Sequence, residues 1–173
     1  MTINFDKYKI NDLVNVYNHN GILIFDDYTS KFNPVTNFHL PLDFFQNRGL
    51  YMYNLTKDKL EYSEILSPNN AKCEKNWALF LHGEDLKAIY KWYPLTIYDS
   101  INSGKLGEKQ EIKMPFFFKK VRGSTNGCIY KDELWFICHV VEYGNPRHYY
   151  HCFVVLDKNT LELKKYSYLF TFD

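Results

Sequence analysis

Between Arg147 and His151 the chain sets an arginine, two histidines and two tyrosines in a row. A strand seldom spends so many polar groups on packing alone, because each one buried without a partner costs free energy. Arg147, and with it Arg122, can grip a phosphate or carboxylate through two parallel N–H donors. His139 and His151 are imidazoles able to help hold such an anion, and their charge changes near neutral pH. Tyr150 adds a hydroxyl to the same cluster. Glu74 carries a carboxyl group that can donate a proton, and Asp12 is the one further carboxylate at a matching place. Asn76 and Ser124 stand two residues beyond Glu74 and Arg122 with an amide and a hydroxyl.

A plainer reading accompanies each of these residues. Glu74 and Lys75 read equally as a solvated strand entry, and Asn76 as a partner of neighbouring backbone. Arg122 reads as an arginine paired structurally with Glu74, and His139 and His151 as hydrogen-bonded core histidines. Trp77 and Trp135 fit a core better than a ligand platform. Phosphate loops, dinucleotide fingerprints, zinc-protease helices and nucleophile elbows have no counterpart in the chain. Asp26 and Asp27 are isolated, and His82 with Glu84 and Asp85 has a spacing common on any surface, so neither a metal site nor a cofactor is expected.

The elements that must position these groups repeat. Residues 74–76 (Glu-Lys-Asn) form a polar lead into apolar positions at Trp77, Leu79 and Leu81. A turn at 82–85 and a second strand at 86–92 follow. The same figure returns at 122–127 (Arg-Gly-Ser-Thr-Asn-Gly), then 128–130, a turn at 131–133 and a strand at 134–141. A weaker copy lies at 11–12, 13–17, 18–21 and 22–25. Each copy continues into a second hairpin: 50–53 with 60–66, 95–98 with 110–112, and 153–156 with 161–169. Residues 28–47, interrupted by Pro34 and Pro41, read as a long loop with room for one edge strand. Four strands recurring at roughly 50 residues match the period of propeller blades. The expectation is an all-β, β-propeller-like chain of antiparallel four-stranded blades, a partial or truncated propeller. It forms one domain with blades at 1–72, 73–121 and 122–173. A sandwich or barrel is the alternative, since every antiparallel sheet repeats hairpins.

Composition narrows the partners. With 21 basic against 20 acidic residues there is no electrostatic reason to expect nucleic acid or an anionic membrane. The 15 tyrosines and 14 phenylalanines favour pleated surfaces. Apolar runs fall far short of the roughly 20 residues that span a bilayer, and the N-terminus has no signal-peptide pattern, so a soluble, cytoplasmic protein is expected. Cys73, Cys128, Cys138 and Cys152 lack paired spacing and read as free, mostly buried thiols. In that setting the sequon Asn54-Leu55-Thr56 reads as a hairpin turn. Three blades would leave sheet faces uncovered, which points to self-association or another protein chain.

The combination of residues 74–77 (Glu-Lys-Asn-Trp), 89–95 (Ile-Tyr-Lys-Trp-Tyr-Pro-Leu), Arg122-Gly123-Ser124, His139 and 147–151 resembles the five-bladed propeller superfamily of glycoside hydrolases and β-mannoside phosphorylases. The resemblance covers residues 70–173, and residues 1–70 match loosely. It implies a central pocket lined by the starts of the innermost strands and binding a glycan or sugar phosphate. Glu74, Asn76, Arg122 and Ser124 would stand around that pocket, with His139, Arg147 and His151 nearby. Inverting glycoside hydrolysis needs two facing carboxyl groups. Phosphorolysis replaces the base with a phosphate ion, so Glu74 as acid with the arginines and histidines as anion site would suffice. Asp12 is the candidate second carboxylate. The expected function is that of a glycosidase, glycoside phosphorylase or glycosyltransferase relative, with a non-catalytic glycan-binding or assembly subunit as the alternative.

Overall fold

The computed structural model describes residues 16–19, 22–28, 49–54, 61–69, 71, 75–99, 101–102 and 105–172. The protein is all-β: antiparallel ladders join its strands, and among the described residues the one helical element is a 3-10 turn at Phe116–Lys120. The chain divides into two compact units, 1–75 with 102–106, and 76–101 with 107–173.

The first unit holds a four-stranded meander of β1 (Val16–His19), β2 (Ile22–Tyr28), β3 (Gly49–Asn54) and β4 (Glu61–Ile65), paired in chain order. β1 runs two residues further than the hydrophobic pattern indicates, to His19, which pairs with Ile22. Asn54 pairs with Glu61 across the β3–β4 connection, so the sequon begins at a hairpin end as expected. Asp12 and the long loop expected at 28–47, apart from Tyr28, lie outside the described residues.

The second unit contains two sheets. One is the meander β5 (Ala78–His82), β6 (Asp85–Trp92), β7 (Leu95–Tyr98) and β10 (Lys109–Ile112). Gly83, at φ 65°, takes the left-handed conformation that the tight β5–β6 turn requires. In chain order β8 (Ile101–Asn102) and β9 (Lys105–Leu106) come between β7 and β10 as a small ladder where the sequence suggests plain loop, and residues 102–106 belong to the first unit.

The other sheet is built on two ten-residue strands, β13 (Glu133–Glu142) and β14 (His148–Asp157), with β15 (Leu163–Tyr166) beyond β14. Along the opposite side of β13 run two short strands, β11 (Arg122–Gly123) and β12 (Cys128–Tyr130). The polar lead of the third copy is therefore itself part of the ladder, interrupted at 124–127. Its carbonyl partner is Ile137, which accepts from the amides of Ser124 and Thr125, while the Thr125 hydroxyl accepts from the Ile137 amide. Counting β11 and β12 as one interrupted strand, all three sheets are four-position antiparallel meanders. None of them closes on itself among the described residues.

Alternation sorts the faces of the third sheet. Leu134, Phe136, Cys138, Cys152, Val154 and Leu156 are buried and share one core with Ala78, Phe80, Ile89, Leu95 and Ile97 of the second sheet. Phe118, from the 3-10 turn, is fully buried in that core and lies against Trp92 and Tyr166. Two glycines stand where the sheets come close together. A Cβ on Gly123 would stand 2.5 Å from the Asn76 carbonyl oxygen, and one on Gly127 would stand 2.6 Å from the Phe80 Cβ. The Gly127 amide donates to the Leu79 carbonyl at 2.7 Å, and the Leu79 amide to the Asn126 side chain at 3.2 Å.

Candidate functional site

The sequence candidates gather at one end of the third sheet, where β11 starts and the β13–β14 connection turns. Register sets Arg122 opposite His139 and His139 opposite His151. Residues facing each other across an antiparallel ladder share a face, so these three form a row on the side turned away from the shared core. Tyr149 is half-exposed on the same face, 5.7 Å from the His139 ring.

His139 is 7% exposed, and its Nδ1 lies 2.7 Å from the Ser124 Oγ. That pairing joins two of the candidate residues and fixes the imidazole plane. The His151 ring is walled by Phe170 and, at 4.6 Å, by Phe172. Its Nδ1 is buried and has no hydrogen-bond partner among the described residues.

The two arginines meet at a residue that the sequence reading passes over. Arg122 donates from Nη2 to the Tyr143 hydroxyl at 2.6 Å, and its guanidinium lies 5.9 Å from the centre of that ring. Arg147 lies 5.6 Å from the same ring. Two cations thus flank one exposed tyrosine at the strand connection, an arrangement that cation–π attraction supports. The signal for Tyr143 was present in the sequence: an aromatic residue and a Gly-Asn-Pro turn immediately before Arg147. What an exposed, doubly cationic patch can do chemically is bind an anion by charge-assisted, forked hydrogen bonds.

Not every candidate joins the group. Tyr150 is opposite Val140 on the other face of the sheet, and its hydroxyl donates to Glu142 at 3.0 Å. That hydrogen bond, and then the negative charge of Glu142, raises the phenol's pKa. Asn76 enters through its backbone: it is left-handed at φ 63°, a region asparagine tolerates, and presents its carbonyl to Gly123. Glu74 and Asp12 lie outside the described residues.

Compared with known proteins, the chain matches no family model, no curated protein and no solved structure. Its site is therefore described by its own geometry. No group of three or more His, Cys, Asp or Glu converges among the described residues. Trp77 and Trp135 sit in aromatic packing, Trp77 edge-on to Tyr90 and Trp135 edge-on to Phe153. Cys138 and Cys152 are free and buried, and Cys128 is free and exposed. Burial first, and then the neighbouring Cys152, pushes the Cys138 thiol far up, while burial lifts Cys152 to about 11. Cys73 lies outside the described residues. No helix among those residues is long and apolar enough to cross a membrane.

Proposed function

We propose that the chain is a carbohydrate-active protein of propeller type, built of blade-like meanders, that binds an anionic glycan or sugar phosphate where Arg122, Tyr143 and Arg147 meet. The observation that carries this reading is the placement of two guanidiniums around one exposed tyrosine at the head of an inner strand. Forked donors suit a phosphate or carboxylate, and an exposed aromatic ring suits the apolar face of a sugar. The meander occurring three times in succession supports the architectural half of the reading. A glycosidase, phosphorylase or transferase would in addition need Glu74 as acid, with Asp12 or a bound phosphate completing the chemistry. The non-catalytic alternative draws on the cationic and aromatic character of the described site, where Glu142 is engaged by Tyr150.

The test is a binding screen of neutral, carboxylated and phosphorylated glycans against the intact chain. Acidic members should be retained and neutral ones not. Arg122→Ala and Arg147→Ala should each weaken retention by roughly tenfold or more, the loss of one charged hydrogen-bonding partner. Indifference to the glycan's charge would sink the reading. For any substrate turned over, Glu74→Gln should lower the rate by roughly 100- to 10,000-fold. Full turnover in that variant would leave the binding module.

A further inference from the structure

We infer that the surface around Phe116 docks reversibly on an anionic phospholipid membrane. The inference is independent of the glycan reading. Over the whole chain 21 basic and 20 acidic residues nearly cancel, which by itself gives no reason to expect such a partner, but the balance is not kept locally. Residues 86–98 and 112–131 contain no aspartate or glutamate, and the second stretch carries Lys113, Lys119 and Lys120. All three lysines are exposed, and among the described residues none of them takes part in an ion pair. The two acid-free stretches meet at one end of the second sheet. Ile112, the last residue of β10, pairs with Leu95, just past the 93–94 turn. Beyond it the Phe116 ring lies edge-on to Tyr93, with centroids 5.9 Å apart.

The 3-10 turn fixes what this surface shows. Side chains on such a turn repeat every three residues, so its three successive phenylalanines point three ways. Phe118 is fully buried, Phe117 stacks on Tyr166, and Phe116 is left 71% exposed with the exposed Tyr93 beside it. Lys119, three residues on, falls on the side of Phe116 and sets its ammonium 5.5 Å from the centre of that ring. Aromatic rings ringed by lysines match the layered chemistry of an anionic bilayer surface. The rings enter the headgroup boundary, while the ammoniums stay with the lipid phosphates and carboxylates. Single-stranded nucleic acid, the other polyanion that lysines and aromatic rings can meet, stacks its bases on open ring faces. Phe116 has the Lys119 ammonium over its ring, so the arrangement favours lipid. One pair of exposed rings with three lysines gives a reversible attachment rather than an anchor.

The experiment sediments the full chain with vesicles of phosphatidylcholine alone and with vesicles that also hold about 30% phosphatidylserine. The chain should partition onto the anionic vesicles and not the neutral ones, and raising salt from about 0.05 to 0.5 M should release it. Lys119→Gln and Lys120→Gln should each weaken partitioning roughly fivefold. Phe116→Ser should weaken it roughly tenfold, at a ring exposed enough for the fold to tolerate the change. In Phe116→Trp, tryptophan emission read against the wild type should shift to the blue on anionic vesicles. Equal partitioning onto the two kinds of vesicle overturns the proposal, and that readout needs no variant to fold. Partitioning onto anionic vesicles that Phe116→Ser leaves unchanged also overturns it. A single-stranded oligonucleotide held more tightly than the anionic vesicles at the same salt, and lost in Phe116→Ser, assigns the surface to nucleic acid and overturns it as well.

Discussion

Gly123→Ala tests the contact on which the position of Arg122 depends. The added methyl would stand 2.5 Å from the Asn76 carbonyl oxygen and 3.5 Å from the Ala78 Cβ. The first contact is with backbone, so no rotamer change relieves it. The inner edges of the second and third sheets must part by roughly half an ångström to restore the 3.0 Å that Cβ contacts essentially never breach. Overpacking of this kind costs about 1–3 kcal/mol. Alanine narrows the unfolded ensemble and returns about 0.4–1 kcal/mol where its conformation is unstrained, leaving a net loss. For a urea slope of about 1–3 kcal/mol per molar, the midpoint should fall by roughly 0.5–1 M. Gly83→Ala is the matched comparison: nothing lies within 4 Å of its Cβ, but φ is 65°. Its loss, about 1–2 kcal/mol, comes from the left-handed backbone alone. Circular dichroism under urea measures both variants. If Gly123→Ala matches or exceeds the wild type in stability, the close approach of the two sheets at Asn76 is wrong.

Phe118→Ala should cost about 3–5 kcal/mol by the same assay, because the ring is fully buried, while Phe116→Ser, at a ring 71% exposed, should change little. Alkylation of the native protein followed by mass mapping should modify Cys128 first and reach Cys138 and Cys152 only on unfolding, since burial hides those thiols and disfavours their thiolates. Acid should destabilise the third sheet. A hydrogen bond from Lys165 lowers the Glu133 pKa, and backbone amides of Thr160 and Asn159 lower that of Asp157. Both carboxylates favour the fold above their unfolded values near 4, and that contribution is lost as pH falls through the lower folded values. Glu133→Gln should flatten this part of the pH–stability curve between about pH 5 and 2, and an unchanged curve would remove Glu133 from the account.

The sequence alone determined the all-β class and much of the strand layout. Alternation of Leu134, Phe136 and Cys138, and again of Cys152, Val154 and Leu156, marks the core-facing side of each long strand of the third sheet. Turn chemistry at Gly83 and around Lys131 and Asp132 marks the hairpin ends. These signals are local, arising from the two-residue period of a pleated strand and from the backbone conformations that turns require. Alternation also separates Tyr150 from His151, although their adjacency in sequence makes them read as one cluster. Register and packing lay beyond it. Only pairing between strands could set Arg122 opposite His139 and His139 opposite His151. Only the docking of two sheets could make Gly123 and Gly127 contact points, or draw Phe118 into the core from a segment without strand periodicity. Tyr143 became the meeting point of two arginines because a strand start and a strand connection about 20 residues apart arrive at the same sheet end, a coincidence set by chain topology that no local spacing encodes.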